Sequence, residues 1–172
     1  YKAPSLSERD APPNGKWTAF IRDENIYVRA GEDGSEFQLT RDGIAGNGYG
    51  MLQPAPDRRT LVAFRIQPGE RKEMHLIESS PRGGGRANLR SRPYPLPGDK
   101  FTSHELCLFD ISKKKPIEVK VDPIDYGGPR LRWKSDGRRF TYEKTDRGHQ
   151  RFRLIEVDTH TGDVRNIIDE KT

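Results

Sequence analysis

A single cysteine, Cys107, occurs in the 172 residues. This excludes an internal disulfide framework and any zinc site assembled from several thiolates. Within "ELCLF" it reads as a small, buried apolar residue. Long apolar runs are also lacking, since no stretch approaches the ~18 residues needed to cross a bilayer, and no membrane partner is expected. The opening "YKAPSLSERD" has no apolar core of the signal-peptide kind. It does not begin with Met either, so it leaves the compartment undetermined. Helix signals are scarce as well. Seventeen Gly and thirteen Pro punctuate the chain too often for a sustained 3.6-residue apolar period.

Hydrophobic residues make up 31% of the chain and charged residues 33%, a balance that brings disorder into consideration. Placement argues against it, because the apolar residues fall in compact clusters bounded by turn signals, as short strands do. The net charge of +5 raises the question of a nucleic-acid partner. However, 31 basic residues are interleaved with 26 acidic ones, and the only local excesses are at 82–92 and 113–115. The first reads as a flexible insertion and the second as a hairpin turn, so no nucleic-acid partner is expected.

What is present is a phrase used three times: "PPNGKWTAF" (12–20), "PAPDRRTLVAF" (54–64) and "WKSDGRRFTY" (133–142). Each is a polar turn around Asn or Asp, then basic residues, then an apolar run. Strands are predicted over 16–21, 25–29 and 36–40. A second set covers 49–53, 60–66, 73–79, 104–111 and 117–121, and a third covers 131–133, 138–144, 151–158 and 164–168. A meander of four antiparallel strands recurring at roughly 40 residues is the mark of a propeller blade. Asn14 and Asp57 lie one such repeat apart, and Asp57 and Asp136 about two. The segment 80–103 has little strand character, so it reads as an insertion. The fold class is therefore all-β, a partial β-propeller of about three four-stranded antiparallel blades, at 1–45, 46–122 and 123–172.

In this reading the Asn or Asp side chain accepts a backbone N–H two residues on, while Gly15 and Gly137 supply positive φ. The following strand is apolar on both faces because it lies between neighbouring blades. Trp17 and Trp133 are assigned to the layers between blades.

"PNGKWTAFIRDENIYVR", "PDRRTLVAFRIQPGERKEMHLIESSP", "RPYPLPGD" and "SDGRRFTYEKTDRGHQRFRLIEVDTHTG" together resemble the N-terminal β-propeller of dipeptidyl peptidase IV-like serine peptidases, within the prolyl oligopeptidase family. The turn phrase is common to many propellers, whereas "RPYPLPGD" and "DRGHQRFRLIEVD" are specific. The resemblance implies a non-catalytic segment that shapes and gates peptide access to a hydrolase domain. That α/β-hydrolase domain is absent from these residues, as no Gly-x-Ser-x-Gly elbow occurs. The implied partners are a peptide substrate and the parent enzyme's own C-terminal hydrolase domain, and the implied compartment is periplasmic or extracellular. The family's paired glutamates would fall after "FQLTRDG", where this chain has "IAGNGYGMLQ" (44–53) with no acid. The alternative reading is a propeller-type protein–protein interaction module that belongs to no enzyme.

The sequence carries no recognisable catalytic or metal-binding motif. His75, His104, His149 and His160 fit no metal-ligand spacing, and "GNGYG" and "GGG" match no phosphate loop. No catalytic residue, metal or cofactor is expected. If residues face a ligand they belong to the loops; Asn47, Tyr49, Arg147 and His149 are the candidates. Three blades cannot close a ring, so open edges imply a longer chain, an oligomer, or an open arc with its edges covered.

Overall fold

A computed structural model describes residues 17–30 and 34–171. Among them are thirteen strands and no helix. The strands are β1 (Trp17–Arg22), β2 (Asn25–Ala30), β3 (Ser35–Gln38), β4 (Gly48–Pro54), β5 (Thr60–Gln67), β6 (Glu73–Glu78) and β7 (Asn88–Pro93). They continue with β8 (Ser103–Asp110), β9 (Lys115–Ile117), β10 (Arg132–Trp133), β11 (Arg139–Thr145), β12 (Arg151–Asp158) and β13 (Val164–Lys171). All pair antiparallel in four sheets: β1-β2-β3, β4-β5-β8-β9, β10-β11-β12-β13 and the ribbon β6-β7. The first three are blade-like meanders, and none closes into a barrel.

The reason for stacking lies in β5, whose residues Thr60 to Phe64 are all buried. Successive side chains on a strand point to opposite faces, so this run serves two layers. Leu61 and Ala63 join Trp17, Ile26, Val28, Leu52, Phe109 and Ile111 in a core between the first two sheets. Val62 and Phe64 join Leu106, Leu108, Phe140, Tyr142, Ile155 and Val157 between the second and third. At roughly 1.5–3 kcal/mol per fully buried large apolar side chain, these two layers hold the sheets face to face. Trp17 is buried in the first layer. Trp133 packs edge-on against Phe140 at the second, with ring centroids 5.2 Å apart. Cys107, only half-buried, lies against the first layer, and burial raises its thiol to about 11.

The repeated turns have the expected chemistry. Asp57 Oδ1 accepts the Arg59 N–H at 3.0 Å, and Asp136 Oδ1 accepts those of Arg138 and Arg139, each at 3.0 Å. Gly137 takes φ +66°, and Arg58 holds the equivalent left-handed position at +60°. Asn14 and Gly15 lie outside the described residues. The turns also join sheets: Trp17 Nε1 donates to the Arg58 carbonyl at 2.8 Å, and His160 Nε2 meets Asp57 Oδ2 at 2.6 Å.

Two strand expectations are corrected. Of residues 73–79, read as a blade strand, Glu73–Glu78 form β6 and pair only with β7, which lies inside the segment read as strandless. The sequence "NLRSRP" carries no β pattern, and all six of its residues are exposed. It is extended because its backbone completes the ladder of β6. The strand expected at 117–121 shrinks to β9, and Lys115 and Pro116, read as turn, belong to it. Proline is tolerated there because β9 is an edge. Beyond it Val119 and Val121 turn inward against the second core.

Candidate functional site

In an antiparallel meander alternate connections fall at the same end of the sheet. The β1–β2 turn, the 39–47 connector, the 68–102 excursion, the second connector from Asp122 to Leu131 and the β11–β12 turn therefore share one end. The Asp57, Asp136 and Asp158 turns lie at the other. All four candidates named from sequence belong to the first end, in two separate groups.

Asn47 and Tyr49 gather around Arg65. The Arg65 guanidinium bonds Asp42 Oδ2 at 2.7 Å, the Asp42 carbonyl at 2.8 Å and Asn47 Oδ1 at 3.2 Å. Tyr49 donates its hydroxyl to Asp42 Oδ1 at 2.9 Å, and Arg65 lies 5.7 Å from its ring centroid. Burial and the adjoining carboxylate push the Tyr49 phenol well above its ordinary range. The connector bearing Asp42 and Asn47 is itself fastened by Asn25. Its side chain accepts from Gly43 N and Thr40 Oγ1 and donates to the Gly43 carbonyl. This arrangement is a support for the loop, since its polar atoms are engaged with one another.

Arg147 and His149 form the second group. The tight β11–β12 turn closes with the His149 N–H donating to the Asp146 carbonyl at 3.0 Å. It needs left-handed backbone at Gly148 (φ +89°) and at His149 (φ +59°). Histidine is one of the side chains that tolerates this region. His149 then meets Tyr126 edge-on at 4.8 Å, Tyr126 meets Phe101 at 6.3 Å, and Arg147 covers Phe101 at 4.3 Å. An aromatic ledge thus joins the excursion, the second connector and the third blade.

Beside the ledge is a polar cleft of about 360 Å³, lined by Arg147 together with Asp122, Lys144, Asp146, Arg151 and Arg153. Arg153 is buried on β12 and spans Asp122 Oδ2 at 3.0 Å and Asp146 Oδ1 at 2.5 Å. Its guanidinium, through that hydrogen bond, holds the Asp122 carboxyl below the usual range. Lys144, equally buried, donates to the Pro123 carbonyl, and its amine is lowered first by burial and then by Arg153. Arg151 is occupied by Asp169 through two bonds of 2.7 and 2.6 Å.

Sequence reasoning missed Arg65, Lys144 and Arg153. Arg65 interrupts the apolar run of β5, and that misfit was the available signal, whereas Lys144 and Arg153 lie on strands that carry other charges and offered none. Among the described residues no group of His, Cys, Asp and Glu could hold a metal ion.

The family model for the dipeptidyl peptidase IV (DPP IV) N-terminal region matches residues 5–53 and 54–172. Among solved structures, dipeptidyl peptidase 4 of Porphyromonas gingivalis is similar at 18% identity and a TM-score of 0.61, over 93% of this chain and 25% of that one. A Bacteroides ovatus ATCC 8483 protein provisionally described as a dipeptidyl aminopeptidase IV is similar at 15% identity and a TM-score of 0.56, over 90% and 22%. The chain thus spans about a quarter of the length of these structures, where its counterpart is part of a larger chain, and at such identities the likeness is one of fold. Because the family model takes in almost every residue, the chain belongs to the family of the dipeptidyl peptidase IV N-terminal region.

Proposed function

We propose that this segment is a non-catalytic part of a dipeptidyl peptidase IV-like serine peptidase, and that its loop end shapes and gates peptide access to a hydrolase domain. The observation that carries this reading is the collection of connectors at one end of a stack whose two cores make it rigid. Function concentrates on loops held by such a scaffold. The Arg147–Phe101–Tyr126–His149 ledge gives that end a surface with both apolar and cationic character, and Asn47 and Tyr49 stiffen its neighbour.

The test uses the full-length protein. Arg147→Ala and His149→Ala are compared with the parent on short Xaa-Pro chromogenic substrates and on peptides of ten or more residues. A gate at this end predicts a changed ratio of kcat/KM between long and short substrates, with the short-substrate kcat retained. An unchanged ratio in both variants refutes gating by these loops.

A further inference from the structure

The β6–β7 ribbon lies outside the packing that holds the blades together. It contributes no residue to either core, and neither strand packs against any strand but the other. Ile77 on β6 and Leu89 on β7 stand directly opposite each other, 73% and 70% exposed. A two-stranded ribbon alone is marginal in water, and a further strand is what it lacks. The ribbon also carries the charge. Residues 71–92 hold six Lys and Arg against two Glu, so nearly all of the chain's net charge of +5 belongs to this arm. Arg82 and Arg86 are exposed in the loop between the strands. Arg90 approaches Glu78 at 2.6 Å, yet its side chain stays 70% exposed. Arg92 lies over the Tyr94 ring, 5.6 Å from its centroid, and is also exposed.

The ladder shows which backbone groups are open. The Tyr94 N–H donates to the Lys72 carbonyl at 3.1 Å, one step beyond the Glu73–Pro93 pair. Bonded and non-bonded pairs alternate in an antiparallel ladder. On β7 the backbone groups of Arg90 and Arg92 therefore face β6, while those of Leu89 and Ser91 face outward, where no strand takes them. Side chains alternate between the two faces with the same period, so Arg90 and Arg92 share one face and Leu89 occupies the other. A strand added at this edge would meet an arginine at every second position on one face and Leu89 on the opposite face. An extended peptide with Asp or Glu at alternate positions and apolar residues between them matches both, and it fills the ladder as well. A second copy of the ribbon would bring like charges together. Hydrocarbon would leave the edge N–H and C=O groups unpaired, and a nucleic acid would neutralise the arginines without completing the ladder. We propose that the β7 edge docks an extended acidic segment of the peptide substrate as a third strand. The source is the substrate because the ribbon springs from the 68–102 excursion, at the same end as the loops assigned to peptide access, and the inference rests on that reading.

The experiment follows binding to the full-length protein by fluorescence anisotropy, with labelled, N-acetylated peptides of alternating Glu-Val, Lys-Val or Glu-Pro sequence and equal length. Saturable binding of Glu-Val, with Lys-Val inert, is expected. The double variant Arg90→Gln, Arg92→Gln should bind Glu-Val about fivefold more weakly, at a melting temperature matching the parent's because both side chains are exposed. Glu-Pro keeps the charge but has half its N–H donors removed, so it should bind more weakly than Glu-Val. Equal binding of Glu-Pro and Glu-Val, or unchanged affinity in the double variant, overturns the proposal. A preference for oligothymidylate or phosphatidylserine vesicles over Glu-Val overturns it too, as does self-association that the double variant abolishes. A second arm compares kcat/KM for two Xaa-Pro peptides of equal length whose tails alternate Val with Glu or with Gln. The acidic tail should be favoured in the parent, and the ratio should fall toward one in the double variant. A ratio of one in the parent overturns the assignment to substrate. The Arg147→Ala and His149→Ala comparison varies substrate length, whereas this one varies tail charge at fixed length, so failure of either is told apart from failure of the other.

Discussion

Replacing Gly162 by Ala tests whether the third blade's outer turn is seated on the connector that builds the cleft. Gly162 has φ +79°, and a Cβ added there would stand 1.9 Å from the Glu118 carbonyl oxygen. The left-handed backbone alone costs an alanine about 1 kcal/mol. The overlap is with main chain, which cannot swing aside as a side chain can, and such overpacking adds roughly 1–3 kcal/mol. Gly127 supplies the control: its φ is +76°, and an added Cβ would meet nothing within 4 Å. Gly127→Ala should therefore cost about 1 kcal/mol and Gly162→Ala about 3 kcal/mol. At 2–4 °C per kcal/mol for a chain of this size, the melting temperatures should separate by roughly 4–8 °C. Urea denaturation of both variants, with equal m-values, measures the difference directly. Equal destabilisation would show that the turn does not rest against Glu118, and the placement of the 118–131 connector would fail with it.

Other outcomes follow from the same packing and hydrogen bonds. Phe64→Ala empties a wholly buried position in the second core and should cost about 3–5 kcal/mol by denaturation, whereas Leu89→Ala, 70% exposed on β7, should stay within about 0.5 kcal/mol. Asn25→Ala removes the three bonds that Asn25 makes to the connector at 39–47 and should cost about 2–3 kcal/mol, with faster amide exchange at Gly43. Burial holds the His104 imidazole below its ordinary pKa, with Nδ1 facing the Ile124 carbonyl at 3.3 Å. The unfolded chain therefore takes up that proton first as pH falls, and stability declines below about pH 6.5. In His104→Gln, unfolding midpoints between pH 7 and pH 5 should show a smaller decline.

The short-range chemistry was legible in the residues themselves. The Asp-centred turns of Asp57 and Asp136 use side chains bonding two residues along the backbone, an interaction any local segment can make. The unbroken apolar run of β5 announced burial on both faces before any neighbour was known. Family wording such as "RPYPLPGD" indicated the N-terminal region to which the chain belongs. The four site candidates were chosen as loop residues. Their common end followed from strand count, but their division into two groups did not.

Tertiary structure alone decided the rest. β7 has no strand pattern of its own and is extended because β6 supplies its hydrogen-bond partners, a non-local condition that composition cannot register. The cleft is another case. Arg153 draws Asp122 from 31 residues away, and Phe101, Tyr126 and His149 come from three different elements. Sequence fixes which groups a strand offers and on which face, because the two-residue period is intrinsic to the chain. Which of those groups meet depends on how whole sheets stack, and that is set by the sum of the two buried layers.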